Sequence, residues 1–173
     1  MPDASGQSLT LLLGGARSGK STHAEKLATA LPAPWTYIAT AQAYDGEMAE
    51  RIALHRSRRG EGWQTVDAPL DLAQTLGSVP EGRPVLVDCL TLWLSNQMLA
   101  DHDIDAVSAE LEKTLSAPRG PWFVVSNEVG LGIVPDNPLG RRFRDAQGRL
   151  NQRVASIADR VLFMVAGLPM QVK

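Results

Sequence analysis

Apolar residues along this chain come in two rhythms. Short continuous runs (Ser8 to Leu13, Thr36 to Thr40, Gln64 to Val66, Val85 to Cys89, Trp122 to Asn127 and Arg160 to Val165) have the length and the Val/Ile/Leu content of buried strands. Between them, apolar positions recur every three or four residues. Ala24, Leu27, Ala28 and Leu31 fall at i, i+3, i+4 and i+7, which predicts an amphipathic helix stopped by Pro32. Helices are also predicted over Glu47 to Arg59, Leu70 to Leu76, Leu92 to Ala100, Ala106 to Leu115 and Leu139 to Ala158. The last carries Leu139, Phe143, Ala146, Leu150, Val154 and Ile157 on one face and is rich in arginine on the other. Strands alternating with helices imply an α/β fold, a mostly parallel sheet with helices on both faces. In such sheets ligands sit beyond the carboxyl ends of the strands, so those ends hold the candidate chemistry.

The first strand ends in Gly14-Gly15-Ala16-Arg17-Ser18-Gly19-Lys20-Ser21, which fits G-x-x-x-x-G-K-[ST] between a strand and a helix. Its glycines allow backbone N–H groups to turn toward phosphate oxygens, Lys20 can reach the β and γ phosphates, and the Ser21 hydroxyl can join the shell of Mg²⁺. Val85-Leu86-Val87-Asp88 is an apolar strand closing on a carboxylate, the form of a Walker B site whose Asp88 holds Mg²⁺ opposite Ser21. The tetrapeptide alone would equally suit an Asp capping the next helix. A third strand runs into Asn127-Glu128-Val129-Gly130. Glu128 could bind substrate or orient a nucleophile, or it could anchor its loop by accepting backbone hydrogen bonds. The following Leu131-Gly132-Ile133-Val134-Pro135-Asp136-Asn137-Pro138 is an apolar loop suited to a substrate wall or to a plain connection.

On a helix over 47–59, Arg51, His55, Arg58 and Arg59 share one face. Flanking cations disfavour protonation of His55, leaving a neutral, nucleophilic imidazole near groups that could hold polyphosphate. Charge runs are also the ordinary makings of a solvated helix face, on which His55 would be incidental. His23 suits packing or capping, and His102 lies in a polar loop. The four tryptophans, Trp35, Trp63, Trp93 and Trp122, are dispersed and suit the core, with Trp93 close behind Asp88 in the chain.

Composition narrows the partners. The 173 residues are 44% hydrophobic and 21% charged, enough for one domain with a full core. Residues 1–7 are small and polar and predict a disordered tail, with the domain occupying residues 8–173. A net charge of −2 argues against a nucleic-acid surface. Cys89 is the single cysteine, so no internal disulfide forms, and no apolar run is long enough to insert stably in a membrane. A cytoplasmic protein acting on a small molecule is expected.

The phosphate loop with His23-Ala24-Glu25, then Tyr37-Ile38-Ala39-Thr40-Ala41, Met48 through His55, Asp88-Cys89-Leu90-Thr91, Asn127 through Pro135, and Phe143-Arg144-Asp145 through Asn151-Gln152-Arg153 together resemble one family. It is the bifunctional adenosylcobinamide kinase / adenosylcobinamide-phosphate guanylyltransferase family of cobalamin biosynthesis. The resemblance covers nearly the whole chain after residue 8, with the motifs in the family's order. It implies a RecA-like P-loop NTPase fold. It implies a kinase step in which ATP or GTP phosphorylates adenosylcobinamide. A transferase step follows, in which a histidine attacks the α phosphorus of GTP and passes GMP to the phosphorylated corrinoid. His55 matches the guanylylated histidine by its place in Arg51-Ile52-x-x-His55, and Lys20 is the other implied catalytic residue. The implied nucleotide contacts are Gly14, Gly15, Ala16, Arg17, Ser18, Gly19, Lys20 and Ser21, then Ala39, Thr40 and Ala41. Arg51, Arg56, Ser57, Arg58 and Arg59 follow, with Asp67 and Asp88 where the family often has glutamate. The family's ring of three subunits makes a homotrimer the expectation, with Leu92 to Leu99 or the loop after Glu128 as candidate interfaces. Two rivals remain on the residues alone: a P-loop small-molecule kinase with no covalent intermediate, and a RecA-like regulatory ATPase.

Overall fold

The computed structural model describes residues 6–42, 46, 49, 50, 52, 53, 57 and 59–173. In chain order the elements are β1 (Ser8–Gly14), α1 (Lys20–Thr29), β2 (Trp35–Ala39), β3 (Trp63–Asp67), α2 (Leu72–Ser78), β4 (Val85–Asp88), α3 (Leu90–Leu99), α4 (Ile104–Leu115), β5 (Pro121–Asn127), α5 (Pro138–Ile157), β6 (Arg160–Val165) and β7 (Leu168–Gln171). The strands make one seven-stranded sheet in the order β3-β2-β4-β5-β1-β6-β7. Every pairing is parallel except β6 with β7. The expected helix over Glu47 to Arg59 and the expected tail lie partly outside the described residues; Gly46, Ala49, Glu50, Ile52, Ala53 and Ser57 are helical.

Alternation along each strand divides the core in two. Leu9, Leu11, Ile38, Val85, Val87, Trp122, Val124 and Val161 meet α2, α3, α4 and α5 on one face. Leu12, Tyr37, Ala39, Leu86, Phe123, Val125 and Leu162 meet Ala24 and Ala28 of α1 on the other. The helices thus cover both faces, as the alternation of elements predicts. Leu9, Leu11 and Leu12 are wholly buried, which is why β1 reads as a continuous apolar run, whereas the edge strands β3 and β7 are largely exposed.

Helix ends depart from the periodicity by about two residues where capping decides them. Asp103 accepts a hydrogen bond from the Ala106 N–H and starts α4 two residues early. Asn137 does the same for α5 through the Gly140 N–H, with Pro138 in the first turn. Strand β7 was not expected at all. Four residues containing Pro169 give little strand signal, and the turn Ala166-Gly167 lacks the usual Asn-Gly or Asp-Gly. Both turn residues nevertheless have positive φ, 50° and 82°, the form that a two-residue hairpin requires.

Candidate functional site

The phosphate loop spans the end of β1 and the start of α1, and its conformation follows from its glycines. At Gly14, φ is +154°, and a Cβ there would lie 2.6 Å from Ser18 Oγ and 2.8 Å from the Met164 carbonyl oxygen. Gly19, with φ +95°, precedes the first turn of α1 and has room only for hydrogen beside Gly167 Cα. The β6–β7 turn pins the loop from below, because the Gly167 N–H donates to the Ser18 carbonyl at 2.9 Å. This support was illegible in the sequence, since it depends on a hairpin that the pattern does not announce.

Lys20 is 7% exposed, and its ammonium donates to the Gly15 carbonyl at 2.5 Å and to Ser18 Oγ at 3.5 Å. The cation therefore lies curled into the loop. Burial pulls its pKa down, against the opposing pull of Cys89 and Asp88. Gly15, Ala16 and Arg17 are exposed, and Ser21 is half-buried at the first turn of α1.

Sheet register brings the other carboxyl ends alongside. Ala39 is opposite Asp67 on one side and Asp88 on the other, while Gly14 is opposite Asn127. Asp88 is thus two strands from the loop, with β5 between. Its Oδ2 accepts a hydrogen bond from the Tyr37 hydroxyl at 2.8 Å. Burial, then the Asp88 charge, pushes the Tyr37 pKa up, so the phenol stays a donor. The Arg59 guanidinium lies 3.6 Å over the Tyr37 ring, and Trp63 meets that ring edge-on at 6.0 Å. Arg59 Nε and Nη1 are buried and find no hydrogen-bond acceptor among the described residues. The sequence pattern does not disclose this role of Tyr37, because its tie to Asp88 bridges 51 residues of sequence.

Several neighbours stiffen the crevice instead of facing it. Thr40 is wholly buried, its hydroxyl donating to the Cys89 carbonyl at 2.6 Å and accepting from the Cys89 N–H at 2.8 Å. That hydroxyl holds the turn between β4 and α3. Cys89 is itself buried, and burial with the adjoining Asp88 raises its thiol to about 11, so it stays protonated and inert. Trp93 sends its indole N–H to the Leu70 carbonyl at 3.0 Å. Trp93 and Trp122 are core as expected, whereas Trp35 and Trp63 are half-buried, their rings meeting at 5.5 Å with a tilt of 45°. Glu128 donates its N–H to the Gly14 carbonyl, and its Oε1 accepts from the Gly130 N–H. These contacts favour the loop-anchor reading of that residue.

His23 is half-buried in α1, where its N–H continues the helix to Gly19. Burial, then Lys26 and Arg160, lowers its pKa. His102 bonds Gln97 Oε1 through Nδ1 at 2.6 Å. Arg51, His55, Arg56 and Arg58 lie outside the described residues, while Ser57 is exposed and helical and Ala41 is half-buried. A cavity of about 1090 Å³ opens at the amino ends of the strands between Ser8, Thr10, Phe123, Leu27 and Leu31, the wrong end for the phosphate loop.

Hydroxyl and carboxylate oxygens at Ser21 and Asp88 are hard donors of the kind Mg²⁺ takes. Among the described residues, no group of three or more His, Cys, Asp or Glu is placed to hold a metal by itself. No helix of the described residues is long and apolar enough to cross a membrane.

Comparison with known proteins bears on the same crevice. Among solved structures, a protein of Pyrococcus horikoshii OT3, Project ID PH0250, superposes with a TM-score of 0.56 at 8% identity, covering 96% of this chain and 86% of that one. The type III secretion ATPase EscN of enteropathogenic E. coli superposes with a TM-score of 0.54 at 16% identity, covering 92% and 43%. At such identities the likeness is one of fold, that of P-loop ATPases. The bifunctional adenosylcobalamin biosynthesis protein CobP of Pseudomonas aeruginosa is 52% identical over 166 residues, covering 94% of this chain and 96% of the relative. CobU of Salmonella typhimurium, described in the same words, is 40% identical over 182 residues, covering 95% and 99%. The family model for cobinamide kinase / cobinamide phosphate guanyltransferase matches residues 10–172, and with the phosphate loop and Asp88 in place the chain belongs to that family.

Proposed function

We propose that the crevice formed by Gly14–Ser21, Ala39, Ala41, Asp67 and Asp88 binds GTP or ATP and serves both activities of the family, phosphorylation of adenosylcobinamide and guanylylation of its phosphate. The observation that carries this reading is the buried Lys20, folded into a loop of glycines and facing the charge of Asp88. Backbone N–H groups of the loop and the amino end of α1 meet the phosphates, and Lys20 swings from the Gly15 carbonyl to the β and γ oxygens. Ser21 and Asp88 would hold Mg²⁺, which when bound neutralises charge building on the phosphate chain. Arg51, Arg56, Ser57, Arg58 and Arg59 belong to the same polyphosphate site in this reading.

In the transferase step the His55 imidazole attacks the α phosphorus of GTP, the bond to the bridging oxygen breaks, and pyrophosphate leaves. The phosphate of adenosylcobinamide phosphate then takes the GMP from histidine, giving adenosylcobinamide-GDP. In the kinase step the hydroxyl of the corrinoid side arm attacks the γ phosphorus, the bond from that phosphorus to the β–γ bridging oxygen breaks, ADP or GDP leaves, and the hydroxyl proton passes to solvent. The two electrophilic phosphorus atoms are two phosphates apart, so the triphosphate is used in two registers or in two places. A plain small-molecule kinase and a regulatory ATPase both lack the nucleotidyl step of the family to which the chain belongs. Assembly as a homotrimer and a cytoplasmic location, where nucleoside triphosphates are plentiful, complete the proposal.

The test is covalent. Incubation with α-labelled GTP and Mg²⁺ is expected to leave acid-labile, base-stable label on the protein, and His55→Ala is expected to abolish it. Unchanged labelling of that variant would overturn the assignment of His55.

A further inference from the structure

Asp88, the carboxylate assigned above to the metal, is held by a single aromatic residue that also carries a cation. Tyr37 is 5% exposed on β2, on the same face of the sheet as Asp88, which lies one strand over and two residues nearer the crevice. Its hydroxyl donates to Asp88 Oδ2 at 2.8 Å. That bond fixes one of the two carboxylate oxygens. On the face of the same ring rests the Arg59 guanidinium, 3.6 Å from the centroid, with Nε and Nη1 buried and without an acceptor among the described residues. Desolvated guanidinium donors are costly unless an anion arrives, and the ring face offsets part of that cost. Arg59 stands four residues after His55 in the chain.

We propose that Tyr37 is a positioning residue, which orients the Asp88 carboxylate toward a nucleotide-bound metal through its hydroxyl and seats Arg59 for the phosphate chain on its ring. The inference rests on the assignment of Asp88 to the metal. It follows from the general behaviour of metal-ligating carboxylates, whose own hydrogen-bond partners set their direction and, when lost, cost ten- to a hundredfold in metal affinity. The two functions are chemically separable. Tyr37→Phe removes the hydroxyl and keeps the ring, whereas Tyr37→Leu removes both.

The experiment is calorimetric titration of the full chain with a GTP analogue whose α–β bridging oxygen is replaced by methylene, so that binding occurs without guanylyl transfer, once in excess Mg²⁺ and once in EDTA, for wild type, Tyr37→Phe, Tyr37→Leu and Asp88→Asn, each with a thermal melt. The ratio of the two affinities isolates the metal's contribution. Tyr37→Phe is expected to lower that ratio on the order of tenfold. Tyr37→Leu is expected to lower it as far, and also to weaken binding in EDTA about threefold as Arg59 loses its seat. A wild-type ratio in Tyr37→Phe beside a collapsed ratio in Asp88→Asn overturns the role of Tyr37 and leaves Asp88 at the metal. A retained ratio in Asp88→Asn overturns both. A lower melting temperature in Tyr37→Phe, with both affinities reduced equally, would make Tyr37 merely structural and also overturns the proposal.

Discussion

Lys20 shows how a binding residue is held at a cost to the empty protein. An ammonium that is 7% exposed, with its pKa lowered chiefly by burial, is less comfortable folded than unfolded. The sign follows from linkage. Between its folded pKa and the ordinary lysine value of 10.5 the unfolded chain binds more protons, so stability rises with pH through that window; below it the penalty is present in full. Lys20→Met is therefore expected to melt no lower than wild type at neutral pH without nucleotide. It should lose the rise in melting temperature that GTP with Mg²⁺ gives the wild type. A thermal melt with and without nucleotide checks both halves, and a large nucleotide-induced rise in the variant would remove Lys20 from the site. At this scale, Lys20 and Asp88 were legible because each ends or begins a regular element in a recognisable spacing. Tyr37 was not, because its partner is fixed by the register of β2 on β4. Nor was the commitment of the Thr40 hydroxyl to Cys89, a contact across 49 residues.

Between β5 and α5 lies a buried polar cluster that the apolar pattern concealed. Ser126, Gln147 and Asn151 are all buried, and they occur within segments chosen for their hydrophobic neighbours. The Ser126 hydroxyl donates to Asn151 Oδ1 at 2.6 Å, Gln147 Nε2 donates to both residues at 2.9 Å, and Asn151 Nδ2 donates to the Asn127 carbonyl at 3.0 Å. On the other side, the Asn127 N–H donates to Thr91 Oγ1 at 2.8 Å. The carboxyl end of β5, opposite Gly14, is thereby clamped from α3 and from α5. Asn151→Ala would remove the acceptor of the Ser126 hydroxyl proton and the donor to the part-buried Asn127 carbonyl, leaving Ser126 with Gln147 alone. Its expected cost is about 2 to 4 kcal/mol, read from urea unfolding. A loss below about 0.5 kcal/mol would mean that water replaces the amide. Helix periodicity found α5 because Ala146, Leu150 and Val154 repeat correctly; it could not say that Gln147 and Asn151, on the same buried face, point to the strand end.

Topology accounts for most of what was readable in the whole molecule, because a parallel sheet with helices on both faces follows from the order of elements. What lay beyond the single chain's pattern is the use of its surface. Leu92 to Leu99 is one candidate interface: α3 buries Leu90, Thr91, Trp93, Leu94, Asn96 and Gln97 against its own core and leaves Leu92 and Leu99 exposed. The loop after Glu128 behaves differently. Ile133 is 97% exposed, Leu131 83%, and Val134 and Leu139 more than half, a cluster of apolar side chains within nine residues beside the strand ends. Scattered apolar side chains need no partner, whereas a contiguous set does. In a closed ring of three, each copy uses one surface as donor and a different one as acceptor, so disabling the loop alone opens every interface at once. If the proposed trimer forms through this loop, Leu131→Asp combined with Ile133→Asp is expected to convert it to monomers in sedimentation equilibrium. Because both side chains already face solvent in the isolated chain, the monomer's unfolding midpoint should be little changed. A trimer mass retained by the double variant would exclude the loop as the interface and return attention to the exposed edge strands β3 and β7.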